Sequence, residues 1–464
     1  MRILQSNQEE FELSRIDHEY ARELEGISRI LEQAPEIKRI YARIAKELSL
    51  AGPTRRGRDG LTVEQVVKIA LIRSRFGYTY RELEFVLQDS ATIRKFVGLE
   101  YQKPIKKSAL NENIRRISEE SWRELNECVK KYAKEQGIED GQRVRGDTTT
   151  AETNIHYPTD ASLLWDCIRV LVRILTFALQ NTGLAFQFSN HRRRAKKQLY
   201  KINNTRRKKG KQKIRHECYL VLIRLARFTL NYAKSALEAI AHYQTRDWDE
   251  SLAIAYIKGQ LEHYIPLTEQ VIDQAYRRVV KNENVPAREK IVSIFEPHTD
   301  IIEKGSRDTV FGHKVVLTSG KSSMILGLKV LEGNPADSTL VENSIDEHID
   351  SYGRPPLQIV FDGGFSSKKN AAIAKRPGKE IQDILFSKHT GLDLDDMVSS
   401  LNAVKPLMRF RAGIEAIISN MKRGFGMKRI LEKGFQAFKA VLQSAVVAYN
   451  LTLLARRQLQ RAST

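Results

Sequence analysis

Five short stretches rich in apolar and β-branched residues lie at about 143–148, 313–318, 324–331, 357–362 and 382–386. Residues 161–290 separate the first from the second, and their text reads as helix throughout. A sheet made from these strands must therefore accommodate a long helical insertion. Two strands following a first, then strand and helix in alternation, predict a mixed five-stranded α/β sheet covered by helices. Residues 9–49, 61–77, 81–98 and 108–137 carry apolar residues at helical spacing, so the N-terminal third is predicted to be mostly helical, and 401–461 read as helix as well.

Charge narrows the function classes. The chain has 464 residues and a formal net charge of +21, which calls for a polyanionic partner, nucleic acid or an anionic membrane surface. Its 41% hydrophobic residues can bury a sizeable core, which excludes disorder of the whole chain. The segment HRRRAKKQLYKINNTRRKKGKQKIRH (191–216) is the most biased part: residues 192–215 hold 13 Lys or Arg and no acid. Arg192, Arg193, Arg194, Lys196, Lys197, Arg206, Arg207, Lys208 and Lys209 could track a DNA backbone, with Tyr200 the only aromatic among them. The bland alternative is a solvated loop, but so pure a run repels itself without a polyanion. Three cysteines and no CxxC pair fit neither a disulfide framework nor a structural zinc site, and suit a reducing cytoplasm. The start, MRILQSNQEE, has no apolar signal-peptide core. Asp166, Arg169 and Arg173 interrupt one apolar stretch, and Lys439, Gln443 and Asn450 the other, so no membrane span is expected and a soluble protein is.

Near the N-terminus, LTVEQVVKIALIRSRFG (61–77) has a capping-box spacing at Thr62 and Gln65. The turn GYTY and the helical RELEFVLQDS (81–90) and ATIRKFVG (91–98) follow. Helix, tight turn, helix is the grammar of a helix-turn-helix DNA reader, and Arg73, Arg75, Arg81, Arg94 and Lys95 supply charge for it. The same spacing also suits a small bundle that only packs.

Three carboxylates stand at informative places. Asp147 lies near the end of the first strand and Asp362 ends the fourth, where open α/β sheets tend to bind ligands. Each alone reads equally well as a turn residue. In MRFRAGIEAIISNMKRGFGMKR (408–429), Arg411, Glu415 and Lys422 share one helix face beside an apolar stripe of Ile414, Ile417, Ile418 and Met421. A solvated Arg–Glu pair is the plain alternative. Three carboxylates could hold two divalent ions for phosphoryl transfer, with Lys422 holding a phosphate as a point charge. His156, His298 and His313 lack partners at metal-ligand spacing and suit packing or phosphate contact; Asp160, Asp300 and Asp337 are spare acids, one of which could replace one of the three carboxylates, though capping or turn roles are favoured.

At these residues the sequence resembles bacterial insertion-sequence transposases with an RNase H-like DDE catalytic domain, nearest the ISNCY-type group. GDTTTAETNIHYPTDASLL (146–164) resembles the first-Asp block, IVFDGGFSS (359–367) the second and RAGIEAIISNMKRGFGMKR (411–429) the Glu block. EPHTDIIEKG (296–305), FGHKVVLTSG (311–320), EGNPADSTL (332–340) and YNL (449–451) resemble the blocks around them, and GYTYRELEFVLQDSATIRKFVGL (77–99) the helical DNA-binding part. The resemblance, which covers most of the chain except 165–290, implies an RNase H-like catalytic domain at 138–160 and 291–464 and a helix-turn-helix-like DNA-binding domain at 51–137; the residue pattern itself gives a helical region 1–50 and a helical insertion at 161–290 with the basic segment 191–216. The resemblance implies Asp147, Asp362 and Glu415 as the catalytic, metal-binding triad, with Mg²⁺ (Mn²⁺ substituting), and Arg411, Lys422 and Arg81 as DNA contacts. Met408 stands where the family's signature has Tyr, a departure that touches DNA contact and leaves the triad intact. The implied activity is cleavage at terminal inverted repeats and joining of the 3′-OH ends to target DNA, without ATP. That agrees with the absence of a GxxxxGK[ST] loop. A homodimer or larger synaptic complex at the nucleoid in the cytoplasm is expected. A non-catalytic DNA-binding descendant and an RNase H-like nuclease that cuts without joining are the alternatives.

Overall fold

The computed structural model describes residues 18–49, 60–99, 104–205, 211–303, 309–388 and 391–463. The chain forms two compact units, one of residues 1–154 with 313–464 and one of the inserted residues 155–312.

The first unit begins with helices α1 (Glu19–Gln33), α2 (Ile37–Ser49), α3 (Val63–Phe76), α4 (Tyr80–Asp89), α5 (Ala91–Val97), α6 (Lys107–Arg115) and α7 (Glu119–Glu135). Strand β1 (Arg143–Thr153) follows. The second unit holds α8 (Asp160–Asn181), α9 (Arg192–Asn204), α10 (Lys211–His242), α11 (Trp248–Val279) and the short strand β2 (Asp300–Ile302). Strand β3 (Val310–Gly320) carries the chain back into the first unit. There follow β4 (Ile325–Val330), α12 (Val341–Tyr352), β5 (Gln358–Phe361), α13 (Lys368–Ile373), β6 (Asp383–Phe386), α14 (Val404–Gly424), β7 (Arg429–Ile430) and α15 (Phe435–Ser463).

The strands form one mixed sheet in the order β2-β3-β1-β5-β6, with β4 on β3 and β7 on β1. β1, β5 and β6 run parallel, and β3 and β4 are an antiparallel hairpin. The five strands read from sequence are present. β2 and β7, three and two residues long, are too short to leave a periodic signal. β1 runs five residues beyond the expected end at 148, because its far end pairs with β7 at Glu152 and Thr153. β5, between β1 and β6, is the short run QIVF, and β6, at the end of the order, is DILF; almost all their residues are buried.

The capping box expected at Thr62 forms, and a second one that the sequence reading did not single out closes α4. Thr62 and Gln65 close a capping box on α3, Thr79 and Glu82 close another on α4, and Gly77 ends α3 with φ +68°. α3 is buried on nearly every side, which overturns part of the DNA-reader expectation. Arg73 pairs with buried Glu432, and Arg75 binds buried Glu23 at 2.7 Å, so both guanidinia turn inward. Arg81 and Lys95 remain exposed.

α15 is long and apolar enough to cross a membrane by length and composition, yet 78% of its apolar window is buried. It packs on α1, α3, α7 and β4 as the central helix of the first unit. The second unit has its own core: Leu164, Ile168 and Leu171 of α8 join the same cluster as Leu222 and Ala226 of α10 and Leu261 and Val271 of α11. There α9 buries only Ala195 and Ile202 and exposes Arg192, Arg193, Arg194, Lys196 and Lys197. The described part of the basic run is thus helical, while Arg206, Arg207, Lys208 and Lys209 lie outside the described residues.

Candidate active site

The site is built by register. Gly146 of β1 stands opposite Phe361 of β5, and Phe361 opposite Phe386 of β6. One residue further along each parallel strand come Asp147, Asp362 and Ser387, side by side at the same edge of the sheet. Gly146 is needed for this pairing, because the Phe361 ring fills the space a Cβ would take. α14 packs across β1 and β5 and brings Arg411 and Glu415 to the same place.

Arg411 touches all three predicted carboxylates. Its Nη2 lies 3.0 Å from Asp362 Oδ1 and 3.5 Å from Asp147 Oδ2, and its Nη1 lies 3.5 Å from Glu415 Oε1. Asp147 also accepts a hydrogen bond from the Thr148 N–H at 2.7 Å, and Asp362 accepts one from the Ser387 hydroxyl at 2.6 Å. Burial pushes the Asp147 carboxyl above its usual range. The Thr148 N–H and Arg411 oppose this, and the charges of Asp362 and Asp337 add to it. Burial acts in the same direction on Asp362. There the Ser387 hydroxyl, the Gly363 N–H and the charges of Arg411 and Lys388 together prevail, and the carboxyl is held below its usual range.

The helix that delivers Arg411 and Glu415 is fixed from below. Arg145 of β1 donates to Ser319 Oγ, Ser323 Oγ and the Phe410 carbonyl at 2.8, 3.0 and 2.7 Å, and stacks on the Phe410 ring. Ile414, Ile417 and Met421 bury the apolar stripe, and Ile418 packs against it half-buried. Met408 packs against the same core. Lys422 lies on the same helix, half-buried.

Sequence reasoning favoured a capping or turn role for Asp337 over a place among the three carboxylates. The structure puts it beside the triad: Thr148 Oγ1 donates to its Oδ1 at 3.1 Å, and Lys314 pairs with it at 2.6 Å. Ser387, Thr148, Arg145 and Lys314 did not stand out in the sequence. Only Ser387 had a readable signal, its place just past a buried strand. Asp160 pairs with Arg278 at the start of α8. His313 packs between Phe435 and Phe438, His156 binds Asp166 at 2.7 Å and His298 binds Glu296 at 2.9 Å. Among the described residues no three His, Cys, Asp or Glu side chains close on a common point as a metal cage. At the triad the donor set is all carboxylate oxygen, which suits a hard divalent cation, but a guanidinium lies among the three oxygens. Its Nε is buried without a hydrogen-bond partner.

Residues 297–451 match the family model "Transposase DDE domain", and residues 15–116 match "Transposase domain (DUF772)". No curated protein and no solved structure matches the chain. The first match contains Asp362, Arg411 and Glu415 but starts after Asp147, so the sheet, and not the matched segment, brings the third carboxylate in. Two transposase domains, one toward each end, indicate a DDE-type transposase, with DNA as the implied partner.

Proposed function

We propose that this protein is the transposase of an insertion sequence related to the ISNCY-type group, and that its sheet is an RNase H-like core. The strand order supports the second part: the first core strand is central, with an antiparallel hairpin on one side and parallel strands on the other. The observation that carries the proposal is the convergence of Asp147, Asp362 and Glu415 on one guanidinium from two strands and a helix.

Asp147, Asp362 and Glu415 would hold Mg²⁺, or Mn²⁺ in its place. The bound cation supplies Lewis acidity at the attacking and leaving oxygens of a phosphodiester. The protein's own residues prepare that site. The Thr148 N–H and the Ser387 hydroxyl each fix one carboxylate by hydrogen bond. Arg145 holds the helix that carries Glu415. Lys422 and Arg411 offer positive charge to the phosphates of the element's terminal inverted repeat. The exposed charges of α9, and Arg81 in the first unit, offer further charge to the DNA backbone. Water attacks a phosphodiester at the element end and frees a 3′-OH; that 3′-OH attacks a target phosphodiester in line, breaking its P–O3′ bond and releasing a target 3′-OH as leaving group. A homodimer or larger complex would bring two ends together.

The test uses purified protein, Mg²⁺ and labelled duplexes made from the DNA flanking its gene, with Asp147→Asn, Asp362→Asn and Glu415→Gln as controls. Cleaved 3′ ends and joined product in the wild type, lost in each variant with duplex binding retained, is the expected result. Binding without cleavage in all four proteins would replace this proposal with a non-catalytic DNA-binding role. Cleavage without joining would replace it with a nuclease.

A further inference from the structure

We propose that Arg411 is the positioning residue of the triad in the ion-free protein, and that it withdraws as divalent cations enter, freeing its guanidinium for a DNA phosphate. This rests on the reading of Asp147, Asp362 and Glu415 as the ion-binding triad.

Four observations carry it. Arg411 reaches all three carboxylates at once, and a planar fork is the side chain able to do so. Asp147 and Asp362 at neighbouring strand ends repel each other, and Glu415 of α14 faces the same guanidinium, so a cation between them relieves the repulsion. Next, the local charge is unbalanced. With Arg411 withdrawn, Asp147, Asp362 and Glu415 against Lys388 leave two negative charges, and the field of Asp337, itself paired with Lys314 at 2.6 Å, adds to them at Asp147. A divalent cation matches that remainder better than Arg411 does.

The guanidinium is also incompletely satisfied, since Nε is buried with no hydrogen-bond partner while both Nη groups face carboxylates. Finally, the helix does not depend on these ion pairs. Arg145 holds the Phe410 carbonyl, and Ile414, Ile417 and Met421 hold the apolar face. The Arg411 side chain can therefore leave while Glu415 stays in position. Ion entry and release of Arg411 are then one event. A protein with empty ion sites keeps its triad assembled, and a loaded one presents an extra cation to DNA.

The experiment titrates Mn²⁺ calorimetrically into wild type, Arg411→Gln, Arg411→Lys and Asp362→Asn, without DNA. Circular dichroism and melting temperature with and without Mn²⁺ accompany it. Arg411→Gln is expected to bind Mn²⁺ about tenfold tighter than wild type. Its ion-free melting temperature is expected to fall and to recover on adding Mn²⁺. Arg411→Lys keeps one charge without the fork and is expected to lie between the two; it decides the matter if the Gln variant does not fold. Duplex binding in Ca²⁺ against EDTA is the second readout: Ca²⁺ should strengthen binding by wild type and not by Arg411→Gln. Equal or weaker Mn²⁺ binding by both Arg411 variants overturns the proposal. Unchanged Mn²⁺ binding by Asp362→Asn removes the triad reading itself, and this inference with it.

Discussion

The Arg145 guanidinium occupies the space that a Cβ on Gly413 would need. Arg145 is itself held by Ser319, Ser323 and the Phe410 carbonyl, so it has no easy way to yield. A strand residue two positions before Asp147 thus sets how closely α14, and with it Arg411 and Glu415, approaches the sheet. Gly413→Ala is expected to cost about 1–3 kcal/mol by overpacking. It should lower end cleavage more than duplex binding. Adding Arg145→Ala should restore part of the stability but not the activity, because the helix then has room without its anchor. Thermal melts and cleavage assays on the two single variants and the double variant check this.

Ser387 stands behind Asp362 and fixes it through a 2.6 Å hydrogen bond. Ser387→Ala should reduce cation affinity or cleavage by about 10–100-fold, the usual effect of removing a partner behind a ligand. The fold should be little changed. A Mn²⁺ titration of the variant with undiminished affinity would remove Ser387 from the site.

Asn450 lies at the centre of the YNL block and is fully buried. Its amide accepts from the Ile325 N–H and donates to the Ile325 carbonyl and to Asn126, each at 2.8 Å. It therefore ties α15 to the start of β4. Asn450→Ala would strand these backbone groups away from water and is expected to destabilise the protein by about 2 kcal/mol or more. Denaturant unfolding measures it, and a change under half that size would show that water replaces the amide.

His348 stacks on Tyr352 within the first unit, and burial pushes its pKa down from 6.5 to about 4. Its folded value is the depressed one, so the unfolded chain binds the proton more readily. The stability it contributes is complete above pH 6.5 and is lost as pH falls toward about 4. The loss should reach about 3 kcal/mol. Unfolding curves across that window should be flatter for His348→Gln than for wild type.

The exposed charges of α9 predict salt-dependent binding. Replacing Arg193, Lys196 and Lys197 together by Ala should weaken duplex binding at low salt. The slope of log affinity against log salt should fall by roughly 0.9 for each phosphate no longer neutralised. Because all three are solvent-facing, the melting temperature should stay within about a degree or two of wild type. An unchanged salt slope would make this helix a solvated face.

Sequence by itself determined the local elements and named the candidate carboxylates. Short apolar and β-branched runs marked five strands, and the Thr62–Gln65 spacing marked the start of α3, because these signals depend on neighbours a few residues away. The carboxylates Asp147, Asp362 and Glu415 were legible for the same reason: two end strands, and one shares a helix face with Arg411. Only the tertiary structure decided which groups meet. The parallel register of β1, β5 and β6 put Asp147, Asp362 and Ser387 side by side from distant parts of the chain. Arg73 and Arg75 looked like DNA contacts because charge favours the surface, yet Glu432 and Glu23, remote in sequence, hold them inward. The shared guanidinium of Arg411 and the pair of Asp337 with Lys314 were equally beyond reach. Side-chain pairing across a sheet is fixed by where the strands pack, and no spacing along the chain encodes that distance.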